Sequence, residues 1–152
     1  TLFRSLFSGQ GFPGETVPYA PEKTDAENRC YLNHGLVVKE NAAQKYTTDA
    51  MSRAFIREIC TRAGEPYQVF ANRSDLAGGS TLGNLSNIQV SLHACDVGLP
   101  QLAMHSCYET AGARDTESAV RVFTEYYCAE MRIENDERFV FLPEENLKGA
   151  RL

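Results

Sequence analysis

The residue types that could carry chemistry are few. The chain has three histidines, His34, His93 and His105, and five cysteines, Cys30, Cys60, Cys95, Cys107 and Cys128. Imidazole binds metals and moves protons, and a thiolate binds metals and attacks carbonyls. No two histidines are spaced as HxH or HxxxH and no two cysteines as CxxC. The local chelate on which compact zinc sites are built is therefore missing. A lone histidine is more often a hydrogen-bonded structural residue. His93 falls in the alternating run Val90-Ser91-Leu92-His93-Ala94-Cys95, and His34 in the turn-like Asn33-His34-Gly35. His105 stands apart, because it follows a strand-like run by a short loop, and α/β proteins place functional groups at the carboxyl edge of a sheet. Cys107, two residues on, would make a thiol–histidine pair with it, but no third group is at hand to orient the pair, and free cysteine is more commonly packing. Gly78-Gly79-Ser80-Thr81-Leu82-Gly83 is the remaining candidate. Glycine lets the main chain approach a ligand, so its N–H groups could meet a carboxylate or an oxyanion. No Gly-Lys-Ser/Thr follows it, so it is not a nucleotide-phosphate loop. The plain alternative is a turn before a helix.

These residues need a frame, and hydrophobic patterning supplies one. Leu36-Val37-Val38 predicts a short buried strand. Met51, Phe55 and Ile59 recur at i+4 with Ile56, Cys60 and Ala63 beside them, which predicts a helix capped by Thr48 or Asp49. Gly64 ends that helix and Pro66 prevents its return. Tyr67-Gln68-Val69-Phe70 reads as a second strand, a short helix is expected near 85–88, and the 90–95 alternation predicts a third strand. The stretch Asp96-Val97-Gly98-Leu99-Pro100 then reads as a turn leading to His105. Asp115 or Thr116 is expected to cap a last helix whose apolar face is Ala119, Val120, Phe123, Tyr126 and Tyr127. Strand, helix, strand, loop, strand, loop and helix in this order imply an α/β layer structure, a sheet with flanking helices. Residues 1–30, rich in Gly and Pro, read as an irregular or atypical segment; 31–131 form the domain; and 132–152 are a tail of no assigned role.

Composition narrows the class. An apolar fraction of 43% with 23% charged residues is that of a globular protein, and 152 residues suit one domain. A net charge of −5 without clustered Lys and Arg argues against nucleic acid. No apolar run approaches the roughly 20 residues that cross a bilayer. The odd cysteine count argues against a disulfide framework and for a reducing, cytoplasmic setting.

Three ordered stretches say more. They are Leu36-Val37-Val38-Lys39-Glu40-Asn41-Ala42-Ala43-Gln44-Lys45-Tyr46, the glycine-rich 78–83 run, and Asp96-Val97-Gly98-Leu99-Pro100-Gln101-Leu102-Ala103-Met104-His105-Ser106. Together they resemble the C-terminal part of the catalytic domain of the M18 family of zinc aminopeptidases, over about residues 21–127. The resemblance implies a zinc-exopeptidase-like fold and a full-length homo-oligomer. His105 matches a ligand of a two-zinc site. Met104 lines the substrate pocket, Lys39 and Tyr46 contact substrate, and Gly79 and Ser80 belong to the substrate-binding loop. A lysine at that place suits removal of N-terminal Asp or Glu from peptides, since an ammonium pairs with a carboxylate. The implied chemistry is metal-assisted hydrolysis, with a glutamate as general base.

The family's other ligands and its general base have no match here. An Asp-x-Ala-His-Ala-x-His-Pro-Asn-like stretch should precede Pro21. The residues found there are Gly11-Phe12-Pro13-Gly14-Glu15-Thr16-Val17-Pro18-Tyr19-Ala20, and Glu144-Glu145 follows His105 instead of preceding it. One imidazole cannot hold a zinc pair. The chain, which starts at Thr1 without Met, is therefore expected to be a fragment or the product of a truncated or frame-altered gene, inactive alone and with no catalytic residue of its own. The rival reading is a non-catalytic α/β interaction or assembly module derived from this fold.

Overall fold

A computed structural model describes residues 2–5, 27, 29–75, 82–103, 107–135 and 138–142. Its centre is a β–α–β unit. Strand β2 (Leu36–Glu40) leads through helix α1 (Ala50–Ala63) to strand β3 (Tyr67–Ala71), which lies parallel to β2. Asp49 starts α1 with a reciprocal cap. Its carboxylate accepts the Ser52 N–H at 2.7 Å, and the Ser52 hydroxyl accepts the Asp49 N–H at 3.0 Å. Gly64 ends the helix in the left-handed region at φ 69°. Gly35, just before β2, also has positive φ, and a Cβ there would lie 2.0 Å from the Pro66 carbonyl oxygen. The turns entering β2 and β3 pack too closely there for any side chain.

Strand β1 (Leu2–Ser5) pairs parallel with β4 (Ala94–Gly98), and β4 pairs antiparallel with β2, so the sheet order is β1-β4-β2-β3. The segment 1–30 thus contributes a strand, although its glycines and prolines predict irregular chain. The third strand is also displaced from expectation: it is 94–98 rather than 90–95, and the predicted turn at Asp96-Val97-Gly98 is its carboxyl half. The physical reason is its central place. A strand covered on both faces is a continuous buried run, and all five residues of β4 are buried, so alternation is the wrong signal.

The two sheet faces differ. Leu36, Val38, Cys95 and Val97 face α1 and helix α3 (Ala113–Cys128), where Phe55, Ile56, Ile59, Cys60, Ala119 and Val122 complete the main core. Each fully buried Ile or Val there contributes roughly 1.5–3 kcal/mol, well above any exposed ion pair. Val120 and Tyr127, expected on the inner face of α3, are 61% and 80% exposed. The buried stripe is instead Asp115, Ser118, Ala119 and Val122, a 3–4 spacing that includes two polar residues and so escapes a count of apolar positions. Helix α2 (Leu82–Gln89) extends the predicted 85–88 helix at both ends. A short ladder joins β5 (Gln101–Leu102) to β6 (Thr110–Ala111). Residues 131–141 form a hairpin, β7 (Met131–Asn135) with β8 (Arg138–Phe141), whose Phe139 and Phe141 rings lie 5.5 and 5.6 Å from Phe55. Part of the predicted tail therefore covers the main core.

Asp115 joins α3 to the turn before β2. It is fully buried, and its two carboxylate oxygens accept the Asn33 and Gly35 N–H groups at 2.7 and 2.8 Å. The Asn33 side chain returns a bond to the Arg114 N–H at 3.1 Å. Gly112, not Asp115 or Thr116, is the cap, since a Cβ at Gly112 would lie 2.2 Å from the Asp115 carboxylate. Asp115→Ala strands two N–H groups and should lower stability by about 3 kcal/mol. Glu117→Ala, which breaks only the exposed 2.6 Å pair with Arg121, should cost under about 1 kcal/mol. Urea unfolding of the two variants distinguishes them; equal losses would contradict this role for Asp115.

Candidate substrate pocket at the carboxyl edge of the sheet

The face of the sheet away from the helices carries a second, smaller core of Cys30, Val37, Tyr46 and Phe70. Side chains alternate along β2, so Lys39 shares the face of Val37, and it is only 3% exposed. A buried ammonium needs partners. One is the Tyr46 ring, whose centroid lies 5.5 Å from Lys39 Nζ. The other is Asp96. The antiparallel ladder pairs Val38 with Val97, so the next position opposes Lys39 to Asp96 on the same face. Burial pushes the Lys39 ammonium down to about 8, with the negative charge of Asp96 acting against that fall. Burial, then Asp96, pushes the Tyr46 phenol up.

The loop from 41 to 49 carries Tyr46 to this place. Asn41 shapes its start: its side chain accepts the Ala43 N–H at 2.8 Å and its carbonyl the Gln44 N–H at 3.0 Å, with Gln44 at φ 54°. Asp96 secures its end. The carboxylate accepts the Thr47 N–H at 2.8 Å and the Thr47 hydroxyl at 3.2 Å, while the Asp96 N–H donates to the Thr48 hydroxyl at 2.9 Å. The Tyr46 hydroxyl donates to Asn72 at 3.5 Å, just past the end of β3. Gly83 brings the start of α2 to the same spot, because a Cβ there would lie 2.9 Å from the Thr47 methyl and 3.4 Å from the Asp96 carboxylate. Beside the carboxyl ends of β2 and β3 opens a cleft of about 420 Å³ whose lining includes Glu40, Asn41, Gln44, Asp49, Arg53 and Asn72; Lys39 and Tyr46 do not line it. Glu40 and Arg53 pair across it at 2.9 Å. This is the edge at which open α/β sheets receive ligands.

Of the residues singled out from the sequence, Lys39 and Tyr46 come together. Gly79, Ser80, Met104 and His105 lie outside the described residues. The other two histidines have structural partners. His34 Nδ1 is 2.9 Å from the Leu32 carbonyl, and its ring packs on Tyr31. His93 Nδ1 is 3.9 Å from the Asp49 carboxylate. Among the described residues no three His, Cys, Asp or Glu side chains are grouped to hold a metal, so these residues do not fit a zinc centre by themselves. All five cysteines are free, and burial pushes the thiols of Cys30, Cys60 and Cys95 up to about 12, where they are neutral and unreactive. Asp96, buried near Lys39, and Asn72, in the lining of the cleft, are the residues that sequence reasoning missed. The available signal for Asp96 was an acid embedded in the apolar run Ala94-Cys95-Asp96-Val97, matching a lysine embedded in Leu36-Val37-Val38-Lys39.

Comparison with known proteins adds an independent line. The family model for aminopeptidase I zinc metalloproteases (M18) matches residues 14–127. A probable M18 family aminopeptidase 2 of Clostridium acetobutylicum is 44% identical over 110 residues, which are 72% of this chain and 25% of that protein. The cryo-EM structure of a complex of Ape4 and Nbr1 includes a chain with a TM-score of 0.69 at 33% identity, covering 82% of this chain and 23% of its own. The dodecameric mApe1 of S. cerevisiae has the same fold, with a TM-score of 0.67 at 22% identity, covering 82% of this chain and 26% of its own. The chain spans about a quarter of the length of the curated relatives it matches. Three motifs in order, a mixed α/β sheet with a cleft at its carboxyl edge, and a family match over most of the chain lead to one conclusion: this protein belongs to the M18 family of metalloaminopeptidases.

Proposed function

We propose that this chain supplies the acidic-residue pocket and one metal ligand of a zinc-dependent aminopeptidase that removes N-terminal Asp or Glu from peptides. The observation that carries the reading is Lys39, a buried ammonium at the carboxyl end of β2, still mostly protonated at neutral pH. A buried positive charge at the carboxyl end of the sheet is the complement of a side-chain carboxylate, and low local dielectric strengthens the pairing. Tyr46 holds the lysine and would contact the same substrate residue. Gly79 and Ser80 would offer main-chain N–H groups, Met104 would line the pocket, and His105 would be one ligand of a site for two zinc ions. The remaining ligands and the general base would come from other parts of the full-length protein, which would assemble as a homo-oligomer in the cytoplasm. No described helix is long and apolar enough to cross a membrane.

The second reading, a non-catalytic assembly module, draws on one feature. Leu85, Ile88, Val90 and Leu92 on α2 and the segment after it are 59%, 76%, 57% and 37% exposed, an apolar stripe of the kind that further protein covers.

Three outcomes follow. The purified chain, dialysed against zinc-free buffer after loading, should retain well under one zinc per chain and should not hydrolyse glutamyl or aspartyl anilides. Turnover by the chain alone would overturn the assignment of the missing groups to other segments. In a chimera in which residues 30–127 replace the matching segment of the Clostridium acetobutylicum relative, Lys39→Met should reduce the preference for glutamyl over leucyl anilide by about tenfold or more, the worth of one charge-assisted bond. Unchanged preference would count against the acidic-residue pocket.

The same substitution tests the buried charge. With its pKa lowered from 10.5 unfolded to about 8 folded, Lys39 binds its proton more tightly in the unfolded chain. The penalty for burying the ammonium is complete below about pH 8 and is relieved as pH rises toward 10.5. Wild type should therefore gain stability relative to Lys39→Met between neutral pH and about pH 10, by up to about 3 kcal/mol. A pH-independent difference in urea midpoints would contradict it.

A further inference from the structure

Asp96 has entered so far as an anchor of the 41–49 loop and a charge near Lys39. It is fully buried in the second strand of the sheet from its β1 edge, flanked in sequence by Cys95 and Val97, which both belong to the main core on the opposite face. A carboxylate in such a place is costly unless it is hydrogen-bonded and paired. Its carboxylate accepts hydrogen bonds from the Thr47 N–H and hydroxyl. They account for the shape of the 41–49 loop. A neutral amide could accept them too, so they do not by themselves call for a charge.

The charge has a use one strand away. The β2–β4 register opposes Asp96 to Lys39, and both are on the Val37 face. Among the described residues, the titratable groups around the ammonium on this face are Tyr46 from the 41–49 loop, Asp96 from β4 and Cys30, which joins the same cluster from the segment before β2. From β3 the neighbour is Phe70, in register with Lys39. Tyr46 and Cys30 are neutral near pH 7, and burial pushes both further up. Asp96 is thus the one anion among them, while Glu40, on the opposite side of the strand, is engaged by Arg53.

We propose that Asp96 is a positioning residue for substrate selection: it keeps the Lys39 ammonium charged within the pocket and, through Thr47, holds Tyr46 against it. The inference rests on the acidic-residue reading of Lys39. It goes further in assigning the lysine's charge state to an aspartate on the neighbouring strand. Without that anion, desolvation acts on Lys39 alone, and the pocket would lose its cation near neutral pH while keeping its shape.

The test uses the 152-residue chain itself, which has four lysines, Lys23, Lys39, Lys45 and Lys148. The chain is labelled with ¹³C-lysine, the ε-carbon signals are followed against pH, and Lys39→Met assigns the Lys39 signal. The expected midpoint for Lys39 is about 8 in wild type. In Asp96→Asn, which can still accept the Thr47 N–H, it should fall by about one pH unit or more, a tenfold or greater loss of proton affinity. Asp96→Asn with an unchanged midpoint overturns the proposal, because a merely structural aspartate would leave the lysine titration where it was. Should Asp96→Asn fail to fold, the unmodified chain decides by a second measurement: a through-space cross-peak between the Lys39 ε-protons and the Asp96 β-protons supports the proposal, and its absence overturns it. These readouts are separate from turnover. If Lys39→Met abolishes acidic preference in the chimera while Asp96→Asn leaves the midpoint alone, only the role of Asp96 falls. If Lys39→Met leaves the preference intact, the pocket itself falls.

Discussion

A lysine and an aspartate buried on one face of a small sheet constrain everything around them. Neither side chain could leave water alone, since an isolated buried charge costs several kcal/mol. They come near each other because β4 runs antiparallel to β2, with Val38 paired to Val97 one position from them. The carboxylate's second duty, to Thr47, ties the 41–49 loop to the sheet, and that loop brings the tyrosine ring that shields the ammonium. Strand order, loop shape and charge placement are one arrangement.

The rest of the fold makes that face rigid. The opposite face is sealed by α1 and α3 on an apolar core, and the 131–141 hairpin adds Phe139 and Phe141 over Phe55. Arg62 lies 4.0 Å from the centre of the Phe141 ring, which ties the hairpin to the last turn of α1. Asp115 fixes α3 to the turn before β2, so the strand that carries Lys39 is held at its start by one buried carboxylate, while another secures the loop that follows it. The cleft opens at the free end of that strand, where the main chain turns away and leaves polar side chains around an open space.

Much of this was legible in the sequence where local rules act alone. The α1 helix shows its Asp49 cap, i+4 stripe and Gly64 stop in the letters, and β2 and β3 follow from compact apolar runs. The motifs around Lys39 and Tyr46 marked both residues, and the structure brings them together. What escaped depended on long-range contacts. β4 was misplaced because a strand buried on both faces does not alternate, and because an aspartate in its middle resembles a turn until Lys39 and Thr47 are seen across from it. The inner face of α3 was misjudged because Asp115 and Ser118 are buried there in place of Val120 and Tyr127, with Asp115 bonded to a turn some 80 residues earlier. The strand at Leu2–Ser5 has no local signature strong enough to outweigh the glycines after it.

The central claim is that Lys39 is a buried, charged residue at the edge where substrate would bind. Competitive acetylation of the four lysines with acetic anhydride, read by mass spectrometry across the neutral to alkaline range, addresses it directly. Lys39 should be the slowest to react in the folded chain, far slower than the exposed Lys45, with a reactivity that titrates near 8. A Lys39 that reacts as fast as Lys45, and only at the alkaline pH of a solvated lysine, would contradict it.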